Sequence, residues 1–141
     1  MRDIRATAVV FVVSVALLAG TTDPLQAQET VADARLLESI DLYTGVSGRV
    51  DDAAARRLLE AAASDPDDVL ATMWVARVHS TGRMTFPRDP DRAREIASGV
   101  IDDVRRLAAV GDLEAIFLMG TAYDESLGVE QNFDEIGRAH V

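Results

Sequence analysis

The sequence of 141 residues contains no cysteine and no lysine. Without cysteine, the chain has no disulfide, no thiolate metal site and no thiol nucleophile. It contains two histidines, so a histidine-based zinc site has almost no ligands to draw on. All 14 basic residues are arginine, which we interpret as the codon bias of a GC-rich genome rather than as selection for anion binding.

Basic residues are also too few to balance the acidic ones. Acidic residues outnumber basic residues by 24 to 14, and the formal net charge is −10. A protein that binds a nucleic-acid backbone needs a basic stripe on its surface, whereas this chain mixes both signs with an acidic excess. We therefore predict that nucleic acid is not a partner.

The chain lacks the residue patterns of the common catalytic and metal sites. The adjacent acids Asp102–Asp103 and Asp124–Glu125 point to different faces of a helix, so they do not face each other across a cleft as glycosidase carboxylates do. Asp65 and Asp67 are separated by proline and lack the glycine and distal glutamate of a calcium loop. We predict that the protein is not an enzyme and holds no metal and no cofactor.

The N-terminus has the composition of a secretory signal. A short start with two arginines, Met1–Arg5, precedes the apolar run Ala6–Gly20. A small-residue cleavage point follows, so we predict that residues 1–27 are removed and that Gln28 becomes the first residue. The alternative is an uncleaved membrane anchor, although this apolar run is shorter than the roughly 20 residues of a typical span. The expected location is periplasmic or secreted, in a bacterium, with membrane contact only through an uncleaved signal segment.

The rest of the chain has the apolar spacing of helices. Apolar residues recur three and four positions apart over residues 32–44, 51–63, 67–80, 90–110 and 112–124. No stretch alternates as a strand does, so we predict an all-α fold. The residues predicted to face inward are Leu36, Leu37, Ile40 and Tyr43 in the first helix and Leu113, Ile116, Phe117, Gly120 and Tyr123 in the fifth.

Two stretches of the sequence are related by a fixed period. Four residues of the first stretch precede four similar residues of the second by 44 positions. These pairs are Ala71 with Ala115, Val75 with Met119, Ala76 with Gly120 and His79 with Tyr123. A period of this length predicts an α/α solenoid of antiparallel helix pairs, with about two and a half repeats. The predicted domain spans residues 28–134, with repeats near 31–69, 70–110 and 111–134.

The order of residues in both copies resembles the Sel-one-like repeat family, which is related to the tetratricopeptide repeats. In the first copy the matching residues are Ala71, Val75, Ala76, His79, Gly82, Phe86, Asp89 and Ala93. In the second copy they are Ala115, Met119, Gly120, Tyr123, Gly128, Val129 and Asn132. The sequence departs from the family pattern at Thr85 and Ser126, where the family has loop glycines, and at Asn132, where it has aspartate.

The resemblance implies a function in binding. Sel-one-like proteins act as adaptors in assembling complexes, in signalling or in envelope processes, so we expect a scaffold that binds a protein or peptide on the concave face of its repeats. Cysteine-rich members linked to penicillin binding or hydrolysis suggest an envelope enzyme as the alternative, but this chain lacks their cysteines.

Three residues are candidates for contact with a partner. Arg77 and Thr121 occupy equivalent positions of the two repeats, and we predict that both point away from the buried stripe. Trp74 shares a helical stripe with other apolar residues, so we interpret it as part of the core. If it lies on the concave face instead, it is an anchor for a partner, because tryptophan is enriched among residues that dominate binding.

The last residues are interpreted as foreign to the gene. The segment Ile136–Val141 matches the translation of a common sequencing-library adapter. We therefore interpret residues 135–141 as a sequencing artefact and predict that the third repeat is truncated. A third functional interpretation is that this chain is the N-terminal part of a longer solenoid, whose binding site lies in later repeats.

Overall fold

The computed structural model describes residues 31–129, which contain five α-helices and no strand. The helices are α1 (Ala34–Thr44), α2 (Asp52–Ala62), α3 (Val69–Thr81), α4 (Pro90–Ala109) and α5 (Leu113–Glu125). These bounds lie within two residues of the predicted ones, and the all-α fold is confirmed. The predicted signal segment 1–27, the end of the third repeat at 130–134 and the predicted artefact 135–141 lie outside the described residues.

Aspartate begins every described helix. The side chain of each N-cap aspartate accepts a hydrogen bond from a backbone N–H two or three residues later. These residues are Asp33, Asp51, Asp68, Asp89 and Asp112. Each such cap stabilises its helix by about 1 kcal/mol, and the negative charge is favourable at the positive end of the helix dipole. Part of the acidic excess in the sequence is therefore structural.

The helices α1 and α2 form an antiparallel pair. At one end, the backbone N–H of Asp51 donates to the carbonyl of Leu42 over 2.9 Å, which joins the start of α2 to the end of α1. At the other end, Arg35 Nη1 donates to the carbonyl of Ala61 over 3.1 Å. Because these bonds connect opposite ends of the two helices, the chain must reverse direction between them.

The helices α3 and α4 form a second antiparallel pair in the same way. The backbone N–H of Asp89 donates to the carbonyl of His79 over 2.8 Å, so an N-cap aspartate again bonds the end of the preceding helix. At the opposite end, Leu70 of α3 and Leu107 of α4 line one cavity. The fifth helix packs against both α3 and α4.

The period of 44 residues in the sequence recurs in the backbone. Asp68 and Asp112 are the N-caps of α3 and α5, and Gly82 and Ser126 are their C-caps. Both C-cap residues have a left-handed backbone, and each donates its N–H to the carbonyl four residues earlier. The two helices that share the sequence pattern therefore also begin and end alike.

The core between the helices is built largely from alanine around a few large side chains. The buried alanines allow close approach of the helix backbones, as small residues do at helix contacts. Fully buried alanines are Ala55, Ala62, Ala71, Ala76, Ala93, Ala97, Ala115 and Ala122. Leucine, methionine and tryptophan fill the remaining space, among them Leu36, Leu59, Leu70, Met73, Trp74 and Leu118. Burying each large side chain contributes about 2 kcal/mol.

The predicted inward face of α5 is wrong at two positions. Leu113 is 56% exposed and Phe117 is 39% exposed, while Ala115, Leu118 and Ala122 are buried instead. Leu37 of α1, which was also predicted to face inward, is exposed as well. In α5 apolar residues occupy nearly every side of the helix, so the spacing alone did not define which side meets α3 and α4.

Candidate binding groove

A groove of about 280 Å³ lies across α1, α3 and α5, of which α1 and α3 lead the two antiparallel pairs and α5 shares the sequence pattern of α3. We call it the leading-helix groove. Its lining residues are Ile40, Tyr43, Thr44, Trp74, Arg77, Glu114 and Phe117. Each of the three helices contributes at least two side chains, so the groove exists only where side chains of all three helices meet.

Aromatic side chains from all three leading helices meet in this groove. The rings of Trp74 and Phe117 are stacked, with centroids 5.9 Å apart and planes inclined by 29°. Tyr43 meets Trp74 edge-on, with centroids 6.4 Å apart and planes inclined by 74°. Such pairs contribute about 0.5–1.5 kcal/mol beyond the area that they bury. The two ring pairs thus connect α3 to α1 and to α5.

Trp74 belongs to the core and also lines the groove. It is 2% exposed, which confirms its interpretation as a core residue. One edge nevertheless lies at the groove wall, where its Nε1 donates a hydrogen bond to Glu114 Oε1 over 2.6 Å. The exposed aromatic surface of the groove comes from Phe117, which stacks on Trp74, and from the partly exposed Tyr43.

Arg77 is held against the aromatic rings. Its guanidinium carbon lies 4.7 Å from the Trp74 centroid and 5.0 Å from the Phe117 centroid, within range of cation–π attraction. Its Nε lies 3.9 Å from Glu125 Oε1, which is too long for a hydrogen bond. Among the described residues, both Arg77 Nε and Glu125 Oε2 are buried without a hydrogen-bond partner. The rings and the nearby charge, rather than hydrogen bonds, position this side chain.

Two carboxyl groups of α5, Glu114 and Glu125, lie near Arg77 of α3. Burial raises the pKa of Glu114, although the hydrogen bond from Trp74 partly opposes this shift. Burial likewise raises the pKa of Glu125, and the positive charge of Arg77 acts in the opposite direction. Both acids lose part of their hydration in the folded protein, and neither regains it through a hydrogen-bonded ion pair with Arg77.

The structure separates the two residues that the sequence proposed for partner contact. Arg77 lines the groove. Thr121 is 9% exposed, and its Oγ1 donates to the carbonyl of Leu118 over 2.9 Å. The prediction that Thr121 points away from the buried side of α5 is therefore wrong. The short side chain of Thr121 hydrogen-bonds to the backbone of its own helix. The longer side chain of the equivalent residue Arg77 extends from α3 to Phe117 of α5.

Glu114 was not identified from the sequence. It lies in the first turn of α5, where an acid is favourable at the N-terminal end of the helix dipole. Its role in the groove depends on Trp74, which lies 40 residues earlier in the chain. A local signal exists only in its spacing, because Glu114 precedes Phe117 by three residues and so shares its side of the helix.

A larger cavity of about 510 Å³ lies at the N-terminal end of α3. Five aspartates line it, Asp33, Asp65, Asp67, Asp68 and Asp103, together with apolar residues and Arg106. No group of acidic or histidine side chains between residues 31 and 129 has the arrangement of a metal site. Asp33 and Asp68 are also helix N-caps, so helix capping accounts for part of this cluster.

Comparisons with protein-family models, curated proteins and solved structures found no match to this chain. Within the described range, no helix is both long enough and apolar enough to cross a bilayer. The geometry of the leading-helix groove is therefore the main guide to function.

Proposed function

We propose that this chain is an exported, non-enzymatic scaffold of the Sel-one-like repeat type that binds a peptide or protein segment in the leading-helix groove. The observation that carries the proposal is the meeting of Tyr43, Trp74 and Phe117, one from each leading helix, around an open cavity. A solenoid presents its leading helices on one concave face, which is where repeat proteins hold extended partners.

The residue types in the groove support binding. Aromatic residues and arginine are enriched among the residues that dominate protein–protein affinity, especially in pockets from which water is excluded. Phe117 exposes 39% of its surface beside a buried ring, so a partner that covers it gains apolar contact without moving the core. The arginine is already oriented by the two rings, which lowers the entropy cost of ordering it on binding.

The chemistry of the groove favours binding over the alternative of an envelope enzyme. Acyl-transfer catalysis requires a nucleophile beside a base. The hydroxyl of Thr44 donates to the carbonyl of Ile40 over 2.8 Å, and the groove lining includes no histidine. Glu114 accepts a bond from an indole rather than from a hydroxyl. We expect no loss of a β-lactam after prolonged incubation with the protein, and hydrolysis that Glu114→Gln abolishes would support the enzyme instead.

A longer solenoid is the second candidate, and exposed apolar residues near the turn between α4 and α5 favour it. Val110 is 74% exposed and Leu113 is 56% exposed, as expected if a further helix packs there. In this candidate the groove continues into later repeats. Sequencing the gene beyond codon 134 distinguishes the two, because an open frame with further repeats supports the longer form.

Export is proposed from the composition of residues 1–27. Mass spectrometry of the chain recovered from a periplasmic extract of an expressing bacterium tests it. We expect Gln28 as the first residue of the recovered chain. Recovery from the cytoplasm with Met1 retained would contradict export and leave the binding proposal unaffected.

The binding proposal is tested by selecting peptides from a displayed random library on the full-length chain. Trp74 is the only tryptophan, so its fluorescence reports binding in the groove without a label. We expect Phe117→Ser to weaken the selected peptides at least tenfold, because it removes the exposed aromatic wall. Leu113→Ser is the matched control, since Leu113 is an exposed apolar residue of the same helix outside the groove lining. Equal losses in both variants would show that the groove is not the binding site.

A further inference from the structure

The groove combines one cationic group, one carboxyl group and several aromatic rings in a small volume. We infer that its ligand is an uncharged, apolar peptide segment in extended conformation, whose main chain bonds Arg77 and Glu114 while a side chain packs between Tyr43 and Phe117. This inference rests on the proposed function and specifies the chemical class of the partner.

The charges in and behind the groove disfavour a charged ligand. An anionic side chain that approaches Arg77 also meets Glu114 in the lining and Glu125 behind it. A cationic side chain that approaches the rings of Trp74 and Phe117 meets the guanidinium of Arg77, which already lies over both. An uncharged peptide segment is repelled neither by the carboxyl groups of Glu114 and Glu125 nor by the guanidinium of Arg77. The local balance of charge therefore selects against both signs.

The polar groups of the groove match the hydrogen-bonding groups of a peptide unit. Each peptide unit offers one N–H donor and one carbonyl acceptor, and both need partners when they leave water. The guanidinium of Arg77 donates no hydrogen bond within the described part of the chain, although its Nε lies near Glu125. Glu114 uses Oε1 for Trp74, which leaves Oε2 as an acceptor. Arg77 can thus bond a ligand carbonyl, and Glu114 can bond a ligand N–H.

The size of the groove limits how much of a ligand it holds. Its volume of about 280 Å³ lies just below the range of about 300–1,000 Å³ typical of small-molecule pockets. A folded domain cannot enter a cavity of this size, but one large side chain and its flanking peptide units can. The rings of Phe117 and Tyr43, which both line the groove, provide apolar contact for that side chain.

Short peptides with acetylated and amidated ends test the inference. A glycine–serine host sequence carries a central phenylalanine flanked by leucine, by aspartate or by lysine, and Trp74 fluorescence of the full-length protein reports binding. We expect the leucine-flanked peptide to bind at least tenfold more tightly than either charged one. Its affinity is expected to stay constant between about 0.05 and 0.5 M salt, because screening does not affect an uncharged ligand.

The contribution of the main chain is tested by N-methylation of the ligand. Methylating the amides around the central phenylalanine removes the donors for Glu114, and we expect affinity to fall roughly tenfold. In the Glu114→Ala protein the same methylation should have no effect, because the acceptor is gone. Glu114→Gln keeps the Trp74 bond through its one oxygen but replaces Oε2 with an NH2 donor, so it should lose the sensitivity as well, which guards against misfolding of the alanine variant.

The outcomes separate this inference from the proposed function. If an acidic or basic peptide binds most tightly and depends on Phe117, the groove is a binding site but the inferred ligand class is wrong. If methylation of the preferred peptide has no effect on the wild-type protein, the main-chain bonding is wrong. If no peptide binds in a manner that depends on Phe117, both the proposed function and the inference fail.

Discussion

The indole Nε1 of Trp74 donates a hydrogen bond to Glu114 Oε1 over 2.6 Å, which links the middle of α3 to the first turn of α5. The bond joins the most buried aromatic residue of the groove to a carboxyl group whose pKa is raised by burial. A single contact therefore connects the stability of the core with the electrostatics of the groove.

The first prediction concerns the protonation of Glu114. Burial favours the neutral carboxyl, so the folded protein binds this proton more tightly than the unfolded chain does. The contribution of Glu114 to stability is present below its unfolded pKa and is lost as the pH rises through its folded pKa. We expect Glu114→Gln to raise the free energy of unfolding at about pH 7 and to have little effect at about pH 4, since the amide oxygen still accepts the Trp74 bond.

Urea unfolding at the two pH values measures this difference, with circular dichroism as the readout because the substitution also changes the surroundings of Trp74. Glu125 and Asp68 also have raised pKa values, so the comparison must be between variant and wild type rather than between pH values alone. A variant that is less stable at neutral pH would show that the ionised carboxylate stabilises the Trp74 contact by more than its burial costs.

The second prediction uses the C-caps that recur with the repeat. Ser126 has a φ of 55° and Gly82 a φ of 71°, a backbone region that costs a residue with a side chain about 1–2 kcal/mol. We expect Ser126→Gly to raise the free energy of unfolding by about 1 kcal/mol. We expect Gly82→Ala to lower it by at least as much, because the added Cβ would also lie 3.0 Å from Arg88 Cβ.

Thermal and urea unfolding of the two variants and wild type test the cap prediction. The positions are equivalent in the repeat, so each substitution is a control for the other. Opposite signs are expected. If Ser126→Gly leaves stability unchanged, the end of α5 does not constrain the backbone as the end of α3 does.

The third prediction compares two N-caps of different burial. Asp112 is buried, and it accepts hydrogen bonds from Ala115 N over 2.8 Å and from Val31 N over 2.6 Å. Asp89 caps α4 at an exposed position through one bond, to Arg92 N over 3.0 Å. We expect Asp112→Ala to lower the free energy of unfolding by about 2–3 kcal/mol, because it leaves the buried N–H of Ala115 unpaired and also removes the bond from Val31.

Asp89→Ala is the control, with an expected loss of about 1 kcal/mol typical of an exposed cap. Both values come from urea unfolding under the same conditions. Similar losses in the two variants would contradict a stabilising role for the bond between Val31 and Asp112, which ties the segment before α1 to the start of α5.

Local signals made the helices predictable, whereas contacts between helices did not follow from the sequence. Aspartate before each helix and glycine or serine after α3 and α5 mark their ends within a few residues, so the bounds were predicted closely. The side of α5 that meets the core depends on α3 and α4. For that reason Leu113 and Phe117 were placed inside and Thr121 outside, and each placement was wrong.

The groove was predictable only in part. Arg77 was proposed for partner contact and lines the groove, and Tyr43 and Trp74 were recognised as apolar residues of leading helices. The participation of Glu114 and the exposure of Phe117 arise from the packing of α5 beside α3. No spacing within one helix encodes that arrangement, because it depends on residues far apart in the chain.

The last prediction concerns the pair formed by Arg77 and Glu125. Arg77 Nε and Glu125 Oε1 are 3.9 Å apart without a hydrogen bond, and the two side chains are 21% and 17% exposed. Coulomb attraction at this distance is partly offset by the loss of hydration on both groups. We therefore expect a weak coupling between the two residues, of about 1 kcal/mol or less.

A double-mutant cycle measures this coupling, with Arg77→Met, Glu125→Gln and the double variant compared with wild type by urea unfolding. Methionine keeps apolar contact with Trp74 and Phe117, so the cycle isolates the charge rather than the packing. A coupling above about 2 kcal/mol would mean that the pair closes into a hydrogen-bonded bridge in solution. The guanidinium would then be committed to Glu125 and would not be available to a ligand carbonyl. A weak coupling leaves Arg77 free to act on the ligand.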